Sequence, residues 1–155
     1  MIALRSGRPE DLANILSWRN ARCAVRYSKS GRELTRDEVG KAYDQALAGT
    51  DPSRKVLMVC LDSSQEPIGY LRFDFQKDGK QAEISIALSP AFQGKGYGSE
   101  ALREGCAHAF HHFGLKKITA IVVEMNVASV SAFSKAGFVQ VDSDGTFATY
   151  ELPSV

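Results

Sequence analysis

The segment Gln93-Gly94-Lys95-Gly96-Tyr97-Gly98 lies between an apolar stretch that ends near Leu88 and an amphipathic stretch that begins near Gly98. Glycine permits positive φ angles and lets an anion come close to the main chain. The unpaired N–H groups of a helix's first turn would then point at that anion, and the helix dipole would strengthen the attraction. Lys95 adds a mobile positive charge. Alternating glycines exceed what a flexible turn needs, so the segment has the prerequisites of a pyrophosphate cradle. A P-loop requires GxxxxGK[ST], whereas Lys95 is followed by glycine. The dinucleotide fingerprint GxGxxG is nearer, with Glu124 posing as its ribose-binding acid. Its third glycine would fall one place later than Gly98, and the loop follows four strand-like segments rather than one.

Other reactive side chains give weaker signals. His108 and His112 are spaced i, i+4, but the glutamate of HExxH is missing and no acidic third ligand is evident, so no metal is expected. The three histidines, with His111, fall in the last turns of a predicted helix, where imidazole complements the dipole. Cys23, Cys60 and Cys106 are an odd set without CxxC spacing, against a disulfide framework or zinc site. Cys60 and Cys106 fall on apolar stretches, where free cysteine packs as a small hydrophobe.

The 155-residue chain fits one domain with a real core. Net charge is +1, with 44% hydrophobic and 24% charged residues, so no strong field argues for nucleic acid or an anionic membrane. No apolar run reaches the roughly 20 residues of a membrane span, and the apolar start of MIALRSGRPED is too short for a secretory signal. A reducing cytoplasm is the expected setting.

Periodicity and capping signals give the elements that must position the loop. Ile2 to Arg5 reads as a strand, and Pro9, Glu10 and Asp11 open a helix carrying Leu12, Ile15, Leu16 and Trp18 to about Ala21. An irregular stretch follows. Thr35 and Glu38 form a capping-box pattern for a second helix that stops at Gly49. Lys55–Leu61, Ile68–Phe75 and Ala82–Leu88 read as strands, the last two joined through Asp78-Gly79. A helix runs from Gly98 to Gly114, Ile118–Val123 is a strand, and Asn126 opens a helix ending near Gly137. Strands around Phe138–Val141 and Thr146–Leu152 close the chain. The order β-α-α-β-β-β-α-β-α-β-β implies a mixed α/β sheet with helices on both faces.

The loop matches [Q/R]xxGx[G/A], and with its flanks EISIALSP and EALREGCAHAF it resembles the signature of the GNAT acetyltransferases. A second block, Asn126-Val-Ala-Ser129 through Phe133 to Ala136-Gly137-Phe138, resembles that family's Asn-led helix, and the element order agrees along the whole chain. The resemblance implies one acyl-CoA N-acyltransferase domain over residues 1–155. It also implies about seven mostly antiparallel strands with a splayed central pair. Acetyl-CoA would be the co-substrate. Gln93, Gly94, Lys95, Gly96, Tyr97, Gly98 and Ser99 would hold its pyrophosphate. The edge of Ile86, Ala87 and Leu88 would pair with pantetheine as a bound strand does. Asn126, Ser129 and Phe133 would flank the cofactor, although Asn126 also suits a plain helix N-cap.

Acetyl transfer to an amine needs a neutral nucleophile, a polarised carbonyl and a proton for the leaving thiolate. Glu83 matches the position of a frequent base in the family, and strand alternation puts Glu83, Ser85 and Ala87 on one face. Asp74 is the rival base, and Ser85 a proton relay or a filler of that face. The sequence departs from the family at Phe133, where many relatives have the tyrosine that protonates the thiolate. Ser131, Ser134, Tyr150 or water would have to replace it, or the thiolate leaves unaided.

The blocks ILSWRNARCAVRYS and GYLRFDF resemble the nucleotide-sugar branch of the family, which implies acceptor contacts from Trp18, Arg19, Arg26, Ser28 and Arg72. Arg19, Arg22, Arg26 and Arg32 could meet a diphosphate through bidentate hydrogen bonds, or lie on a solvated helix face and loop. The expected acceptor is the amino group of a nucleotide-linked sugar. The N-terminal amine of a ribosomal or other protein is the alternative, and a CoA-binding sensor of weak activity is the non-enzymatic reading. Polyamines and cationic antibiotics are disfavoured by the arginines. A monomer or homodimer is expected.

Overall fold

The computed structural model describes residues 1–28 and 30–154. Seven strands form one sheet: β1 (Ile2–Ser6), β2 (Arg54–Leu61), β3 (Pro67–Phe75), β4 (Gln81–Leu88), β5 (Lys117–Val123), β6 (Val139–Ser143) and β7 (Phe147–Pro153). Their spatial order is β1-β2-β3-β4-β5-β7-β6. Every neighbouring pair is antiparallel but β4 and β5, which run parallel. The helices are α1 (Leu12–Arg19), α2 (Arg22–Arg26), α3 (Arg36–Leu47), α4 (Tyr97–His112) and α5 (Val127–Lys135).

Side-chain alternation divides the core into two layers. From β2, Leu57 and Val59 join β3's Leu71 and Phe73 in the cluster under α4 and α5. Val56, Met58 and Cys60 point the other way and pack with Ile15 and Trp18 of α1, Val39 and Tyr43 of α3, and Tyr70 of β3. Helices therefore cover both faces. Each fully buried Leu, Ile or Phe contributes on the order of 1.5–3 kcal/mol, and the two layers together fix the sheet on which the site is built. Gly105 lets α4 lie close against β3, because a Cβ there would fall 2.2 Å from Leu71 Cδ1.

Local signals explain the helix ends. Thr35 Oγ1 accepts from the Glu38 amide at 3.1 Å while a Glu38 carboxylate oxygen accepts from the Thr35 amide at 3.0 Å, completing the capping box. Gly49 and Gly114 sit past their helices at positive φ. Two expectations are corrected. The stretch expected to be irregular contains α2, and Pro9–Asp11 is a 3-10 turn rather than the first turn of a longer helix. The Asp11 carboxylate accepts from both terminal nitrogens of Arg5, at 2.8 and 2.9 Å, and from the Arg8 amide.

Candidate active site

β4 and β5 share a ladder only from Gln81–Lys117 to Glu83–Thr119, after which they part. The edge of β4 from Ile84 to Leu88 thus faces a gap in the middle of the sheet, its amides and carbonyls on that side open to an extended ligand. Ile86, Ala87 and Leu88 line it, half-buried.

The glycine loop opens beside the end of β4. Gly94 and Gly96 have φ of 74° and 85°, and a Cβ at either would meet nothing within 4 Å. Gly96 is the left-handed N-cap of α4, so the amides of the helix's first turn face open space. Gly98 differs from its two companions. Its φ is not positive, and a Cβ there would make ordinary 3.6 Å contacts with Ala132 and Leu88. The remaining loop side chains mostly serve the protein. Ser99 is buried and donates to the Gly96 carbonyl at 3.2 Å. Tyr97 packs edge-on against Phe92, and the Lys95 ammonium lies 5.8 Å from the Phe92 ring. Gln93 donates to the Leu88 carbonyl and to Cys23 Sγ at 3.2 Å. Cys23 beside the loop carried no sequence signal, because α2 meets Gln93 only in the tertiary fold.

Asn126 caps α5, accepting from the Ser129 amide at 3.3 Å and donating to Ser129 Oγ at 3.0 Å. Both side chains are thereby committed to the cap. Phe133 is a core residue, 3% exposed, stacked on Tyr150 with ring centroids 6.4 Å apart and edge-on to Phe138. Of the candidate replacements for the missing tyrosine, Tyr150 is the one stacked on that ring.

Glu83, Ser85 and Ala87 lie on the sheet face of α1 and α3, opposite Ile84 and Ile86. Across the β3–β4 ladder, Asp74 faces Glu83, Arg72 faces Ser85 and Tyr70 faces Ala87. Asp74 accepts from Arg54 Nε at 2.5 Å with one oxygen and from Arg72 Nε at 3.0 Å with the other. Arg72 also donates to the Tyr43 hydroxyl at 3.0 Å and to Ser85 Oγ at 3.4 Å, and Tyr43 and Tyr70 share a hydroxyl–hydroxyl hydrogen bond of 3.2 Å. Burial opposes the Arg72 charge, but Tyr43 and Asp74 outweigh it and hold the proton more tightly than usual. Burial, then Tyr43, push the Tyr70 hydroxyl well above its ordinary range, with Arg72 and Arg19 acting against them. This network of Arg54, Asp74, Arg72, Tyr43 and Tyr70 was only partly legible. Arg72 and Asp74 stood in one motif, whereas Tyr43 and Arg54 join from distant elements.

The expected acceptor residues separate. Trp18 is buried and stacked on Tyr70, with centroids 6.4 Å apart. Arg19 lies half-buried on the same side, donating to Ser30 Oγ. Ser28 is used by its own turn, donating to the Val25 carbonyl and accepting from the Gly31 amide. Arg22 and Arg26 are exposed, Arg26 lying over its neighbour Tyr27. Arg32 is exposed and paired with Glu38 in a bidentate contact of 3.0 and 2.7 Å. Among the described residues no His, Cys, Asp or Glu group could hold a metal, and no helix is long and apolar enough to cross a membrane. His108 is held below its usual pKa by burial and by His112 and His111.

A helix-capped glycine cradle beside a parted parallel strand pair defines a site for a ligand with an anionic end and an extended, strand-like arm. Residues 2–139 match the acetyltransferase (GNAT) domain family. The chain therefore belongs to the GNAT acetyltransferases, enzymes whose co-substrate is acetyl-CoA. A 73-residue segment is 30% identical to FsC-acetyl coenzyme A-N(2)-transacetylase of Aspergillus fumigatus, covering 47% of this chain and 30% of that protein. The chain thus spans less than a third of that relative's length. The fold is similar to that of spermidine N-acetyltransferase from Vibrio cholerae, solved with CoA and spermine, at a TM-score of 0.82 and 20% identity over 98% of this chain and 95% of that one. It is also similar to an aminoglycoside acetyltransferase solved with coenzyme A, at 0.81 and 21% over 99% and 95%.

Proposed function

We propose that this chain acetylates a primary amine by direct attack of the amine on the thioester of acetyl-CoA. The parting of β4 from β5 next to the Gly94–Gly96 cradle carries this reading. The cradle would bind the CoA pyrophosphate through the first-turn amides of α4, and pantetheine would pair along Ile86, Ala87 and Leu88. The gap then presents the thioester to the face that holds Glu83 and Ser85. Glu83 is the general base, directly or through a water, and such a group is worth about 10²–10⁴ in rate. Among the described residues its carboxylate accepts no hydrogen bond, the ladders using its backbone alone, which leaves the carboxylate oxygens available. Asp74 is the weaker choice because each of its oxygens is engaged by a guanidinium. It serves to position Arg72. With Phe133 apolar, Tyr150 is the favoured donor to the thiolate, ahead of the exposed Ser134.

The acceptor favoured by the sequence is the amino group of a nucleotide-linked sugar, supported by the half-buried Arg19 and Arg72 on the acceptor face. Small-molecule amine acceptors are also named for two structural relatives, spermine and the aminoglycosides. A thiol-release assay with acetyl-CoA over a panel of amino sugars, nucleotide-linked amino sugars, polyamines and peptide amines tests the reading. Turnover of nucleotide-linked amino sugars is the expected result. Tight acetyl-CoA binding without thiol release on any amine would instead favour a sensor.

A further inference from the structure

Arg19 and Arg72 are left incompletely paired on one sheet face. Arg19 Nη1 is buried without a hydrogen-bond partner among the described residues, although a guanidinium nitrogen so placed normally has one. Among the described residues its Nη2 donates only to the neutral Ser30 hydroxyl, at 3.3 Å. A guanidinium has five N–H donors. Among the described residues Arg72 uses one each on Asp74, Tyr43 and Ser85, which leaves two. Its orientation is fixed from both sides, by Asp74 and by Tyr43, whose ring lies 5.8 Å from the guanidinium carbon. Asp74 is shared with Arg54, so these three side chains retain a net positive charge. Arg72 reaches Tyr70 through the Tyr43 hydroxyl, and Tyr70 stacks on Trp18, the neighbour of Arg19 in α1. The two arginines thus stand at either end of the chain of contacts Trp18–Tyr70–Tyr43, and among the described residues no carboxylate pairs with Arg19.

We infer that Arg19 and Arg72 form an anion subsite beside the buried Tyr70 and Trp18 that takes a carboxylate or phosphate group of the acceptor. The inference rests on the amine-acetylating reading for the rest of the acceptor and narrows its substrate class. Tyr70 and Arg72 lie across the ladder from Ala87 and Ser85, one strand away from the edge assigned to pantetheine. Strands in a sheet are about 4.8 Å apart. An anion held there leaves the amine roughly 5–10 Å of reach to the thioester, the span of an amino acid or a sugar phosphate. Glu83 follows Ser85 on the same face of β4, on the side where the amine would be deprotonated.

Trp18 is the chain's single tryptophan, so its fluorescence reads the subsite without requiring catalysis. The protein, saturated with CoA to block the glycine cradle, is titrated with inorganic phosphate, uridine diphosphate and malonate, with sodium chloride as the ionic-strength control. The expected result is a saturable change with at least one polyanion. Arg19→Met should weaken that binding at least tenfold, and Arg19→Lys should restore part of it. Saturation by malonate alone assigns a carboxylate, and saturation by phosphate or the nucleotide assigns a phosphate. Absence of a saturable change with every anion overturns the subsite, as does binding that Arg19→Met leaves intact. Arg72→Lys should weaken the same anion. CoA affinity, measured calorimetrically, shows that each variant is folded. Amine turnover is assayed separately: acetylation of neutral amines as efficient as that of their anionic counterparts sinks the subsite but leaves the proposed function standing. Anion binding without turnover of any amine does the reverse.

Discussion

Asp74 and Glu83 face each other across the β3–β4 ladder, yet their surroundings differ sharply. Asp74 is gripped by Arg54 and Arg72, whereas the Glu83 carboxylate accepts no hydrogen bond among the described residues, its backbone alone being used by the ladders. One carboxylate holds two guanidiniums in place, and the other has none.

Replacement Glu83→Gln should therefore lower kcat about 10²-fold or more while KM for acetyl-CoA changes little. The acidic limb of the kcat/KM–pH profile should flatten as well. Steady-state kinetics over a pH series checks both. An unchanged profile would assign the base elsewhere.

Gly96→Glu should abolish tight CoA binding. It forces a side chain into a left-handed N-cap at φ 85° and sets a negative charge where the pyrophosphate would lie. Gly96→Ala carries the conformational cost of roughly 1 kcal/mol without the charge, so its affinity loss should be well under that of the glutamate variant. Isothermal titration of CoA into both variants separates geometry from electrostatics.

Asn126→Ala removes the cap of α5 and should cost about 1 kcal/mol. For a chain of this size that lowers Tm by roughly 2–4 °C. Asn126→Asp should restore most of the melting temperature. If the Asp variant regains Tm but not CoA affinity, Asn126 touches the pantetheine arm in addition to capping the helix.

Acid stability should depend on Asp11. Burial alone would raise its carboxyl, but hydrogen bonds from the Arg5 side chain and the Arg8 amide hold it below the ordinary 3.8. A depressed folded-state pKa means that the stabilisation is complete above the unfolded-state value and is lost as pH falls through the lower, folded one. Urea midpoints should fall below about pH 4 in the wild type, and Asp11→Asn should be less stable at neutral pH with a shallower acid slope.

Thiol reactivity should follow burial. Cys60 and Cys106 are 1% and 2% exposed, and burial pushes the Cys106 thiol up to about 12. At pH 8 only Cys23 should react rapidly with a disulfide reagent in the native protein, and all three cysteines once it is denatured. Because Cys23 Sγ contacts Gln93, saturating CoA should slow that reaction.

Sequence alone determined the parts of this protein whose physics is local. The Thr35–Glu38 box, the glycine stops, the strand alternation of Glu83, Ser85 and Ala87, and the cradle at Gly94 and Gly96 all follow from neighbours a few residues apart. Backbone conformation and helix ends are set at that range. Tertiary structure alone decided which charges are paired. Arg32 meets Glu38 in a bidentate pair, and Asp74 meets Arg54, from a different strand. The same holds for Tyr43, brought by α3 against Arg72, and for Cys23 beside Gln93. Charge pairing and desolvation depend on distances of a few ångströms between residues far apart in the chain, and residue order does not encode those distances locally.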